Sequence, residues 1–127
     1  MMVGLVVVSH SRTAAEGIAE VAAEMAGETN IEPVGGDGDG GIGTVPDDIE
    51  AALAAADDGD GVVVLVDLGS AVMNAEVAIE MSDVEAEIAD APVLEGAVNA
   101  AVAATSPDAT LGSVRDQAEA ARDVDKL

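Results

Sequence analysis

Apolar positions fall along this chain in two rhythms. Met2 to Ser9, MVGLVVVS, is a continuous apolar run rich in valine, and such a run predicts a short strand buried on both faces. From Thr13 the period lengthens: Ala14, Ile18, Val21, Ala22 and Met25 share one helical face, while Glu16, Glu20 and Glu24 line the other. Ser11 or Thr13 is placed to cap this helix and Gly27 to end it. NIEPVG reads as a second, weaker strand, and Pro33, which has no N–H for a ladder, assigns it to a sheet edge. GGDGDGGIGT, Gly35 to Thr44, holds six glycines in ten residues and predicts a flexible loop.

The alternation continues to the end of the chain. Pro46, Asp47 and Asp48 open a helix carrying Ile49, Ala52, Leu53 and Ala56, with proline in the first turn and acids at the positive end of the dipole. VVVLVD, Val62 to Asp67, is the clearest strand. LGSAVMNAEVAIEM follows as a largely buried helix with Ser70 as its expected N-cap, and EAEIADAP as a short strand. VLEGAVNAAVAA, Val93 to Ala104, carries one charge in twelve residues and predicts a helix lodged either centrally or, more in keeping with a core poor in bulky side chains, at a subunit interface. A last helix, about Thr110 to Asp123, shows Leu111, Val114, Ala118 and Ala121 on one side. The order β-α-β-α-β-α-β-α-α predicts a three-layer α/β/α sandwich around a mostly parallel sheet, formed as one domain over residues 1–127.

Composition narrows the function. Half of the 127 residues are apolar, yet Phe, Tyr, Trp and Cys are all absent. The core must be filled by small aliphatic side chains, and thiolate chemistry, disulfides and cysteine metal sites are excluded. No run of eighteen apolar residues and no basic leader is present, so the expected location is cytoplasmic, with no membrane association. With 26 Asp and Glu against 4 Lys and Arg, the net charge is −22. Nucleic acid is an unsuitable partner for such a surface. The acids are spread over every segment, which reads as adaptation of the whole surface to high salt rather than as one docking patch. Three of the four cations lie in the last thirteen residues, leaving Arg12 as the only one in the first 114, two positions from the single histidine.

That histidine, His10, sits where the first strand gives way to the first helix. Ligands of open parallel sheets bind at the carboxyl ends of the strands. Asp67 ends the strand VVVLVD, so the two side chains meet on one rim if these strands are neighbours. A carboxylate on one ring nitrogen fixes the tautomer and leaves the other as a nucleophile, and it stabilises the cationic phospho-imidazole that forms. N–H groups of the helix starts at Ser11 to Thr13 and Ser70 to Ala71, and of the glycine loop, are placed to receive phosphate oxygens. Taken singly, His10 also fits a surface or capping role, and Asp67 a cap for the next helix. GDGDGG lacks the closing Glu and flanking helices of an EF-hand, so no metal site is expected, and no cofactor is needed.

Four stretches in order, MVGLVVVSHSRTAAEGIAEVAAEM, IGT (Ile42 to Thr44), VDLGSAVMNAE (Val66 to Glu76) and APVLEGAV (Ala91 to Val98), resemble the phosphotransferase subunit of the phosphoenolpyruvate-dependent dihydroxyacetone kinase. That family is similar in turn to the mannose-type IIA domains of the bacterial sugar phosphotransferase system. The resemblance implies a homodimeric α/β sandwich whose histidine, matching His10, takes a phosphoryl group from the histidine phosphocarrier protein. It then passes the group to ADP on the nucleotide-binding subunit of the kinase. It implies that Asp67 orients His10, and that Gly43, Thr44, Gly69, Ser70 and Ala71, with Ser11, surround the phosphate. Fused phosphocarrier domains found in some members have no counterpart here, so the donor is expected to be a separate protein. Two other readings stand beside it. One is a IIA component feeding a mannose-type permease. The other is a receiver-like domain phosphorylated on Asp67, although Ser9 and His10 stand where receivers carry an acidic pair.

Overall fold

The structure is a computed structural model that describes residues 2–127. Four strands alternate with helices: β1 (Gly4–Ser9), α1 (Arg12–Ala26), β2 (Ile31–Gly35), α2 (Pro46–Ala56), β3 (Val62–Val66), α3 (Ser70–Met81), β4 (Ala86–Ile88), α4 (Val93–Ala104) and α5 (Leu111–Ala120), with a closing 3₁₀ turn at Ala121–Asp123. The sheet order is β2-β1-β3-β4, and all pairings are parallel. Pro33 lies on β2 at an edge, as a residue without a ladder donor must.

Period-two alternation divides the core into two halves. Leu5, Val7, Val63 and Leu65 face α1, α4 and α5, whereas Val6, Val8, Val62 and Val64 face α2 and α3. Both faces of β1 and β3 are therefore covered, which is why their sequences are apolar without interruption. This is the three-layer α/β/α sandwich expected from the order of elements.

Two packing details differ from the sequence pattern. On α1 the buried stripe is Ala15, Ala19 and Ala22, one position round from the expected face, and Val21 and Met25 stand 44% and 65% exposed. Alanines let α1 lie close against the sheet and α4, and the bulkier side chains are displaced to the rim. The uncharged stretch of α4 finds its cover inside its own chain: Gly96, Ala97, Ala100, Ala101 and Ala104 are buried. Gly96 explains the fit, since a Cβ there would stand 2.9 Å from Ala91 Cβ and 3.1 Å from Leu65 Cδ1. An interface is thus not required to account for the apolar character of α4, although Leu94 and Val102 remain exposed.

Candidate functional site

The chain adds β2 on one side of β1, then crosses over to place β3 on the other. The crevice at the carboxyl ends of β1 and β3 is therefore the switch point of the sheet, where ligands of such folds bind. His10 follows β1 and Asp67 follows β3, and adjacency of the two strands makes them neighbours. His10 Nδ1 lies 3.0 Å from Asp67 Oδ1. The other carboxylate oxygen, Oδ2, accepts from the His10 backbone N–H at 3.0 Å and from the Ser9 hydroxyl at 2.9 Å. The Asp67 N–H donates to Val8 O at 3.1 Å, continuing the β1–β3 ladder into the site.

This arrangement settles the electrostatics of the pair. Burial acts to raise the carboxyl of Asp67, but it is outweighed by the His10 backbone N–H, the His10 ring, the Ser9 hydroxyl and attraction to His10, so Asp67 is held below its ordinary value of 3.8. As an anion Asp67 only accepts, so the ring proton belongs on Nδ1 and Nε2 carries the lone pair, which accepts from the Ser70 hydroxyl. Nε2 faces outward to the hydroxyl of Ser70 at 3.0 Å. His10 and Asp67 side chains are 21% and 20% exposed, enough to be reached from solvent and little enough to be held.

The residues expected around a phosphate are not all gathered there. Ser70 is, but it is the first residue of α3 and not its cap. Gly69, already in helical conformation, takes the capping position without a side-chain bond, and tight bonds from Ala71 N to Leu68 O and Val72 N to Gly69 O close the turn. Ala71 therefore has its N–H engaged and its side chain in the core, a departure from the expected pocket role. Among the described residues, the N–H groups of Leu68, Gly69 and Ser70 are those of this turn left without a backbone acceptor. Ser11 caps α1, accepting from Ala14 N at 3.2 Å.

Gly43 N donates to His10 O at 2.9 Å, which ties the glycine loop to the site. Thr44 is a strut, its hydroxyl accepting from Asn74 of α3 at 2.7 Å. The loop itself is organised more tightly than its composition implies: Asp37 Oδ1 accepts from Asp39 N at 2.8 Å and Gly41 N at 2.9 Å. Arg12, 78% exposed, pairs with Glu16 of its own helix at 3.6 Å.

Two residues of the site were not singled out from sequence. Asn74 gives no signal of its own. Ser9 could have been noticed, because a hydroxyl ends an otherwise apolar strand and so must find a partner when buried; it is 2% exposed.

Comparison with known proteins bears on what such a site does. The phosphoryl donor subunit DhaM of PEP-dependent dihydroxyacetone kinase 2 from Listeria innocua serovar 6a is 41% identical over 106 residues, covering 80% of this chain and 85% of its own. The phosphotransferase subunit DhaM of PTS-dependent dihydroxyacetone kinase from Lactococcus lactis subsp. lactis is 35% identical over 119 residues, covering 94% of this chain and 95% of its own. The crystal structure of a protein of unknown function, EF1359, superposes with a TM-score of 0.81 at 31% identity, over 94% of both chains. The model of the EIIA-man family, described as the PTS system fructose IIA component, matches residues 4–114, from β1 into α5. The chain belongs to the EIIA-man family.

Proposed function

We propose that this chain is the phosphoryl-carrier subunit of a phosphoenolpyruvate-dependent dihydroxyacetone kinase, with His10 Nε2 as the carrier atom. The observation that carries the reading is the bond between His10 Nδ1 and Asp67 Oδ1 at 3.0 Å, which leaves Nε2 as the outward-facing nucleophile. The DhaM subunits of Listeria and Lactococcus, alike over most of their length, support the same assignment.

In the first step the Nε2 lone pair attacks the phosphorus of a phosphohistidine on the phosphocarrier protein. The Nε2–P bond forms as the donor's N–P bond breaks, and the donor imidazole leaves. The positive charge gained by His10 is balanced by Asp67 across Nδ1–H. The Ser70 hydroxyl and the N–H groups of Gly69 and Ser70 receive the phosphoryl oxygens. In the second step a terminal oxygen of ADP, held on the nucleotide-binding kinase subunit, attacks the phosphorus and releases neutral His10.

A second reading concerns the acceptor alone. The family description as a fructose IIA component favours a sugar permease as the destination of the same phosphoryl group. Phosphorylation of Asp67 itself, the receiver-like alternative, would disrupt the three bonds that hold its carboxylate. The experiment is intact mass after incubation with phosphoenolpyruvate, enzyme I and phosphocarrier protein, for wild type and His10→Ala. The expected result is one acid-labile phosphoryl group on the wild type only, which ADP-loaded kinase subunits with dihydroxyacetone then remove. Removal by a permease and not by the kinase would reassign the acceptor. Absence of the adduct with competent donors would refute the carrier role.

A further inference from the structure

Among the described residues, Ser9 is the one polar residue buried in the core, at 2% exposed, and its hydroxyl has no freedom in how it bonds. Its oxygen accepts from the backbone N–H of Ser11 at 3.1 Å and lies 2.9 Å from Asp67 Oδ2. A hydroxyl has one proton to donate. Because an amide N–H and a carboxylate flank it, the N–H must donate to the hydroxyl and the hydroxyl to the carboxylate.

We propose that Ser9 is a positioning residue of the phosphoryl-transfer site, whose buried hydroxyl locks the Asp67 carboxylate in the rotation that presents Oδ1 to His10 Nδ1. This rests on the carrier reading for its role in transfer, though not for the geometry. Oδ2 is held by two donors, the Ser9 hydroxyl and the His10 N–H, and Oδ1 by the ring alone. Rotating the carboxylate out of its present plane would break all three bonds, so one of its oxygens stays on the imidazole. Without Ser9, a single donor holds Oδ2 and the Ser11 N–H is left without an acceptor at the root of α1. The same hydroxyl draws negative charge from Asp67, and so sets how strongly the carboxylate stabilises the phospho-imidazole.

The other charged groups near Asp67 leave this role to Ser9. On α1, Arg12 is paired with Glu16. In the glycine loop, the Asp37 carboxylate is turned into its own turn. Glu76 of α3 and Asp90, after β4, line the cleft beside Asp67, and Asp90 is paired with Arg122 at 2.8 Å. None of these contacts involves Ser9, so all are expected to persist in its variants.

The test uses Ser9→Ala, Ser9→Cys, which keeps the volume and weakens the donor, and Ser9→Thr, which keeps the hydroxyl. The Asp67 carboxyl is titrated by carbon NMR in the unphosphorylated chain, and the rate of phosphoryl uptake from the phosphocarrier protein is measured separately. The Ala and Cys variants are expected to move the Asp67 midpoint upward by about one pH unit and to slow uptake roughly tenfold, while Thr retains both. If Ala does not fold, Cys carries the comparison. A folded Ala or Cys variant with wild-type midpoint and rate would overturn the proposal, as would a folded Thr variant that loses both as Ala does. Since the titration needs no donor, failure of the wild type to take up phosphate would strike the carrier reading and leave the positioning role to the titration.

Discussion

A single imidazole becomes a directed nucleophile here because one carboxylate, an acceptor only, sits at Nδ1. Asp67→Asn preserves the shape but can donate its N–H to Nδ1, which moves the ring proton to Nε2 and removes the lone pair from the outward side. Phosphoryl uptake is expected to fall roughly a hundredfold or more, while the variant stays folded with a thermal midpoint below that of wild type near neutral pH, as a stopped-flow or quenched mass assay beside a thermal melt would show. The pH dependence follows from the lowered carboxyl of Asp67. A group whose folded value lies below its unfolded value contributes stability above the unfolded value and loses it as the pH falls through the folded one. Wild type should therefore shed this contribution only in acid, below the ordinary carboxylate range. Any difference between the thermal midpoints of wild type and Asp67→Asn should shrink from pH 7 to pH 3; a gap that stays constant would count against it.

At the scale of elements, much was legible from periodicity and composition. The valine runs of β1 and β3, the proline-first α2 and the apolar side of α5 all stand where hydrophobic spacing puts them. The stripe on α1 was less readable, because a helix with many alanines has several nearly equivalent apolar faces and the choice is made by how closely a neighbour approaches. The meeting of His10 and Asp67 was legible only conditionally, since spacing along the chain does not say that β1 and β3 are adjacent. The Ser70 position escaped because a capping serine and a first-turn serine differ by one residue of backbone geometry. Two substitutions separate scaffold from site. Leu53→Ala, on the buried side of α2, should cost about 2–5 kcal/mol of stability and leave phosphoryl uptake intact below the unfolding temperature. Gly35→Ala places a methyl against the Ser9 carbonyl oxygen at the end of β2. It should cost about 1–3 kcal/mol and lower uptake as well, because Ser9 and Ser11 must shift. Denaturant melts and the mass assay on both variants check this contrast.

For the whole molecule, net charge governs how stability responds to the solvent. All four cations make ion pairs: Arg12 with Glu16, Arg115 with Glu87 and Asp116, Arg122 with Asp90, and Lys126 with Glu95. Even so, 22 more acids than bases remain, and their mutual repulsion weakens as the screening length shortens from about 10 Å at 0.1 M salt to about 3 Å at 1 M. The thermal midpoint is expected to rise steadily as potassium chloride is raised from about 0.1 M to about 2 M; a flat or falling midpoint would contradict the salt-adapted reading of the surface. Among the described residues no helix is long and apolar enough to cross a membrane. A homodimer is proposed from the resemblance, with light scattering in high salt expected to report twice the mass of one chain.

The central claim is that His10 carries the phosphoryl group on Nε2, and a chain with one histidine allows it to be tested without ambiguity. With ¹⁵N-labelled histidine and phosphocarrier-driven phosphorylation, nitrogen–phosphorus coupling in the NMR spectrum identifies the linked atom. Coupling at Nε2, with Nδ1 still bearing its proton, is the predicted result. Coupling at Nδ1, or a phosphorylated chain whose imidazole shows no coupling, would contradict the account.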